Sequence, residues 1–295
     1  MRRACCGAFE IAYHVIGDGD PVLMIPGLGA TAASYHPVVP HLARSRRLVV
    51  FDQRGTGGSS PAPSDASIEQ MAADALALLD HLEVGSVHVV GSSLGGCVAQ
   101  VLASTEPARV RSLVLAATFS EIDRTLELSY RFRRSLVERV GLDEPWVGDF
   151  MRATLFGRTF LDTDDGEALS RLAVSILASA DPTTYVRHLD ALLTFGKCDL
   201  PRSTRAGFTA QLRTLDVPAL VLCGEEDSLI PPSVSQSMAD AIDGSITVVL
   251  ASTGHALLAE QPKVAADHIT AFWSQCDGSA DHLTRPPRST RTDTR

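Results

Sequence analysis

Six apolar runs punctuate the chain: "PVLMIPG" (21–27), "RLVVFDQRG" (47–55), "VHVVGSS" (87–93), "VRSLVLAAT" (110–118), "VPALVLCGEED" (217–227) and "SITVVLAS" (245–252). A strand with one wet face alternates apolar and polar residues. An unbroken Val/Leu/Ile run belongs to a strand covered on both faces. Between the second and third runs lies "SIEQMAADALALLDHLEV" (67–84). Its Ile68, Met71, Ala72, Ala75, Leu78, Leu79 and Leu82 recur at the helical period. Covered strands alternating with helices predict an α/β fold: a mostly parallel central sheet with helices on both faces.

The alternation stops between about Ser120 and Thr214. That stretch holds helical patterns, "RTLELSYRFRRSLVERV", "DGEALSRLAVSILASA" and "TYVRHLDALLTF", and no strand-like run. It predicts an all-helical insertion, residues 120–214, in a core made of 1–119 and 215–276. The last stretch, "DGSADHLTRPPRSTRTDTR" (277–295), is polar, carries Pro286-Pro287 and lacks apolar periodicity. It reads as a disordered tail. Its four arginines are sufficiently explained by a solvated terminus.

Composition removes whole classes of function. The 295 residues, 45% hydrophobic and 21% charged, suit a soluble globular chain with a sizeable core. A formal net charge of −9 argues against nucleic acid, whose phosphates need a basic face. No apolar run approaches the ~20 residues of a membrane span. "MRRACCGAFEIAYHVIG" lacks a continuous apolar stretch behind its arginines, so no signal peptide is read and the expected location is cytoplasmic. Six scattered cysteines (5, 6, 97, 198, 223, 276) fit reduced thiols better than a disulfide framework. No Cys/His spacing points to a metal site.

The third run ends in "GSSLGG" (91–96), and helical sequence follows at once. Gly-x-Ser-x-Gly between a strand and a helix is the pattern of a nucleophile elbow. Its tight turn holds one serine in a strained conformation above the sheet, at a helix N-terminus that favours negative charge. Register selects the serine. Centring on Ser93 puts Gly91 and Gly95 at the flanks, whereas centring on Ser92 would need glycine at Val90 and Leu94. The plainer alternative is a glycine-rich turn with a capping serine.

A serine hydroxyl needs a base, and the base needs an orienting acid. Asp227 lies just past the fifth run and His255 in the glycine-bearing loop after the sixth. Both therefore reach the sheet edge at which the elbow opens. The order is Ser, Asp, His, with gaps of 134 (227 − 93) and 28 (255 − 227) residues. The other eight histidines lack such a setting. Glu121 or Asp123, after the fourth strand, is the alternative acid. An oxyanion needs two backbone N–H donors. The amide of Leu94, the residue after the nucleophile, supplies one, and that of Leu28 in "MIPGLGAT" (24–31) the other.

Together "PGLGAT", "FDQRGTGGSS", "GSSLGG", "GEEDSLIPP" and "TGHALLAEQP", in this order from about Ile11 to Cys276, resemble the α/β-hydrolase superfamily, in particular its small microbial esterase and enol-lactonase branch. The resemblance implies Ser93, Asp227 and His255 as a catalytic triad, the Leu28 and Leu94 amides as the oxyanion hole, and the helical insertion as a cap over the site. The family often carries His-Gly where this chain has Pro26-Gly27, which removes one hydrogen bond that would steady the loop. Asp52 and Arg54 of "FDQRGTGGS" are expected to be structural. The implied activity is hydrolysis of a small, largely apolar ester or lactone with no metal or organic cofactor. C–C bond hydrolysis, acyl transfer to another acceptor, and non-catalytic small-molecule binding are the alternatives.

Overall fold

A computed structural model describes residues 1–195 and 208–284. In chain order the elements are β1 (Arg2–Cys6), β2 (Phe9–Ile16), β3 (Asp20–Ile25), α1 (Val39–Leu42), β4 (Arg46–Phe51), α2 (Ile68–His81), β5 (Val87–Ser92), α3 (Leu94–Thr105) and β6 (Val110–Ala116). Then come α4 (Arg124–Val140), α5 (Pro145–Leu155), α6 (Arg158–Leu161), α7 (Asp164–Ala178), α8 (Pro182–Thr194) and α9 (Thr209–Leu212). The chain returns to the sheet with β7 (Ala219–Gly224), α10 (Pro232–Ala239), β8 (Ile246–Leu250), α11 (Leu257–Glu260) and α12 (Pro262–Thr284).

Among the described residues the sheet has eight strands in the order β1-β2-β4-β3-β5-β6-β7-β8. The pairs from β4 through β8 are parallel, while β1–β2 and β2–β4 are antiparallel. The covered strands feed two cores. Leu23, Ile25, Val49, Phe51, Leu113 and Leu115 face one side with α2 and α3. Val22, Met24, Leu48, Val50, Val114 and Leu222 face the other with α12. That division explains the unbroken apolar runs of the inner strands, which have no wet face; β8 departs from the expectation, since at the sheet edge its Ile246 and Val249 are exposed. Helix α3 is buried from Leu94 to Ala103, as a helix apolar on every side must be.

Two features differ from the sequence expectation. The β1–β2 hairpin, turning at Gly7 with φ +72°, carries no continuous apolar run, because β1 is a short edge strand with Arg2 and Arg3 exposed. The ordered core was also expected to end at Cys276, yet α12 continues to Thr284. Asp277 is anchored there by Arg46 at 2.5 Å and by Arg111 at 3.3 Å. Those cations extend the helix past the point where its apolar pattern fades. Residues 285–295, residues 196–207 of the insertion and the Cys198 thiol lie outside the described residues. The cysteines that are described are free, and no described helix is long and apolar enough to cross a membrane.

Candidate active site

Ser93 falls between the last residue of β5 and the first of α3, with φ 53° and ψ −119°. A side chain at positive φ is strained and persists only where the surroundings enforce it. Here the Ser93 amide donates to the Ala116 carbonyl at 2.9 Å. Its own carbonyl accepts from the Thr118 hydroxyl at 2.7 Å and from the Gly96 amide at 2.8 Å. The glycines admit this turn by having no Cβ. A methyl at Gly95 would fall on the Ile25 carbonyl and 2.7 Å from that of Pro26. One at Gly91 would meet the carbonyl carbon of Gly95 at 2.7 Å. Gly96 packs as tightly, 2.5 Å from the Thr118 methyl if a Cβ were built. Gly95 thus lets the elbow press against the loop that follows β3, Gly91 lets β5 close on the first turn of α3, and Gly96 admits Thr118.

Asp227 lies in the loop after β7 and is 3% exposed. Its Oδ1 accepts from the amides of Leu229 and Ile230 at 2.9 and 2.8 Å, which leaves Oδ2 to face His255. His255 Nδ1 donates to that oxygen at 2.8 Å. The bond assigns the tautomer: with its proton on Nδ1, the ring presents Nε2 as a base. The two loops approach closely because Gly224 has no Cβ, which would otherwise stand 2.8 Å from the Thr253 carbonyl carbon. Asp123, the alternative acid, instead caps α4 by accepting from the Leu126 amide at 2.7 Å, and Glu121 is exposed.

Ser93 and His255 both line a cavity of about 300 Å³ roofed by the inserted helices. Among the described residues the Ser93 hydroxyl makes no hydrogen bond. Gly27 and Leu28 lie on the same wall. A Cβ at Gly27 would come 3.4 Å from that of Ser93, so this loop approaches Ser93 directly. Leu94 is fully buried and is not part of the lining. Its amide is the first of α3, where no preceding turn supplies an acceptor.

The loop after β3 is steadied from β4. Gln53 Nε2 donates to the Pro26 carbonyl at 2.9 Å, a support not foreseen from sequence. Asp52 accepts from the amides of Ala32 at 2.8 Å and Gly58 at 2.9 Å. Arg54 pairs with Asp74 at 2.6 Å. Asp52 and Arg54 are thus structural, as expected. Glu225 and Glu226 are engaged elsewhere: Glu225 accepts from Ser252 N at 3.0 Å and Glu226 from Thr159 N at 2.8 Å. Glu260 Oε2 bridges the amides of Gly254 at 2.9 Å and Gly157 at 3.2 Å. It thereby ties the histidine loop to the insertion, and burial raises its carboxyl above the ordinary range.

Of the insertion's apolar residues, Leu155, Phe156 and Leu177 reach the cavity, whereas Leu128, Phe132 and Trp146 are exposed and Met151, Leu189 and Leu192 are buried. Sequence reasoning missed Leu169, Val174, Tyr130 and Tyr185, which also line it; Arg133, one of the many arginines of the insertion, lines it too. Arg133 had a legible signal. It stands at an apolar position of α4, in register with the buried Leu126, Tyr130 and Val137.

A family model described as alpha/beta hydrolase fold matches residues 20–262. The chain is 28% identical over 269 residues to BpoC of Mycobacterium tuberculosis, a protein whose name places it among non-heme bromoperoxidases; the match covers 90% of this chain and 98% of BpoC. It is 29% identical to the 2-hydroxymuconate semialdehyde hydrolase of a Pseudomonas species over 95% of each chain. Among solved structures, a malate-bound thermophilic esterase from Thermogutta terrifontis superposes with a TM-score of 0.80 at 26% identity, covering 93% of this chain and 98% of its own.

Proposed function

The chain belongs to the alpha/beta hydrolase fold family, and from that premise we propose that it is a serine hydrolase cleaving a small, largely apolar ester or lactone. One observation carries the reading. The Asp227–His255 bond at 2.8 Å leaves a basic ring nitrogen in the same 300 Å³ cavity as the strained Ser93. The relatives are named for different reactions, so the bond cleaved is argued from this site.

His255 Nε2 takes the Ser93 proton as the oxygen attacks the substrate carbonyl carbon. The carbonyl π pair becomes an oxyanion, held by the Leu28 and Leu94 amides beside the N-terminus of α3. When it collapses, the ester C–O bond breaks and the imidazolium, braced by Asp227, protonates the departing oxygen. Water enters, loses a proton to His255 and attacks the acyl-enzyme. Collapse of the second tetrahedral intermediate returns the proton to Ser93 and frees the acid. A lactone follows the same course with both products joined in one molecule.

Steady-state hydrolysis of short 4-nitrophenyl esters, simple lactones and thioesters tests the reading. Wild type is expected to turn over at least one ester or lactone, and Ser93→Ala to lose that turnover. Turnover equal in the two proteins would refute it.

A further inference from the structure

Arg133 is 2% exposed and lines the cavity that also holds Ser93 and His255. An unpaired buried cation is among the most expensive groups a protein can hold. Other arginines of the insertion are settled at the surface or on acids: Arg124 and Arg131 with Glu127, Arg134 with Asp190, Arg152 with Glu167. Arg133 differs. Among the described residues no carboxylate lies within ion-pair distance of it. Its Nη2 donates to the Thr154 hydroxyl at 2.8 Å, and its Nε has no partner. The Phe150 ring centre lies 5.9 Å from its Cζ, and the phenols of Tyr185 and Tyr130 are further polar neighbours, both neutral.

The lining contains no aspartate or glutamate among the described residues. The cavity wall thus joins a nucleophile to a guanidinium with neutral neighbours, and planar guanidinium donors suit a carboxylate. We infer that Arg133 is a substrate-binding residue and that the substrate carries a free carboxylate besides its scissile ester or lactone bond. This assignment rests on the hydrolase reading above for the scissile bond, but anion binding by Arg133 does not require the chemistry. A purely packing role accounts poorly for the position. Helix α4 places Arg133 where leucine would serve the same stripe with no charge to bury.

The test separates the two claims. Binding is measured by calorimetry on Ser93→Ala, where no turnover interferes, with the monomethyl esters of succinic, glutaric and adipic acids and their dimethyl counterparts. At least one acid ester is expected to bind roughly 10- to 100-fold more tightly than its diester, the range of a charge-assisted hydrogen bond. Arg133→Met in that background should erase the difference, and Arg133→Lys should keep part of it. Matching melting curves for the variants exclude misfolding. Equal affinity for every acid–diester pair, or a preference that survives Arg133→Met, would overturn the inference. Hydrolysis of 4-nitrophenyl pentanoate and 4-nitrophenyl hydrogen glutarate by the wild type is followed in parallel. Acid-selective binding with neither ester hydrolysed would count against the hydrolase reading and leave Arg133 standing as an anion site.

Discussion

Replacing Asp227 with asparagine exchanges one oxygen for an NH2 group, and the structure dictates which. Oδ1 accepts two backbone amides, from Leu229 and Ile230, at 2.9 and 2.8 Å. Turning the new NH2 toward them would break both bonds and set donors against donors, at about 2 kcal/mol or more. The asparagine therefore keeps its oxygen on the amides and points its NH2 at His255. His255 Nδ1, now facing a donor 2.8 Å away in the native geometry, must accept. Its proton moves to Nε2, and Ser93 loses its base. A wrong tautomer of this kind costs about 10⁴-fold in kcat in serine proteases, equivalent to about 5.5 kcal/mol of barrier. The fold is scarcely touched, since the amide bonds persist: about 1 kcal/mol, or ~3 °C in melting temperature for a chain of this size. The assay is single-turnover hydrolysis of an ester accepted by the wild type, with a melting curve alongside. A well-folded Asp227→Asn variant within tenfold of wild-type kcat would refute the orienting role of Asp227.

Other consequences are accessible to simple experiments. Burial lowers the His188 ring from 6.5 to about 4, so between those values the unfolded chain holds more protons and stability falls as pH is lowered. From pH 7 to pH 5 this residue should account for about 2 kcal/mol in urea titrations. His188→Gln should flatten the curve by that amount, and an unchanged slope would contradict the account. Gly95→Ala drives a methyl onto the Ile25 carbonyl. The unyielding backbone predicts a loss of about 3 kcal/mol and of most activity, whereas melting and turnover close to wild type would mean that the elbow is less tightly packed. Arg54→Met strands the buried Asp74 carboxylate, bonded to Arg54 at 2.6 and 2.9 Å. It should cost about 3 kcal/mol with kcat per folded molecule retained, and an unchanged denaturation midpoint would deny the pair its role.

Five of the six apolar runs found their strands because covered strands leave a clear pattern, while the sixth formed edge strand β8 with Ile246 and Val249 exposed; the elbow was legible because its glycines are steric requirements: Gly91, Gly95 and Gly96 have no room for a Cβ. That the loops of Asp227 and His255 follow strand ends was readable in the sequence, although only the fold shows that Gly224 lets them meet. The β1–β2 hairpin was not legible, since an edge strand needs no apolar face toward solvent. Nor was the extension of α12 past Cys276, which depends on Asp277 meeting Arg46 and Arg111 from distant parts of the chain. Cavity-lining and packing residues in the insertion share one apolar vocabulary, so periodicity alone does not separate Leu177, which lines the cavity, from Leu189, which is buried. Arg133 is the instructive case: a charge on the apolar stripe of α4 was visible as a break in the pattern, but its meaning required the cavity.

The central claim is that Ser93 is an activated nucleophile, and intact-mass spectrometry after exposure to a fluorophosphonate tests it most directly. The wild type should gain one phosphonyl adduct and Ser93→Ala none, with Asp227→Asn reacting far more slowly. A folded wild-type protein that stays unmodified, or an adduct that persists in Ser93→Ala, would contradict the account.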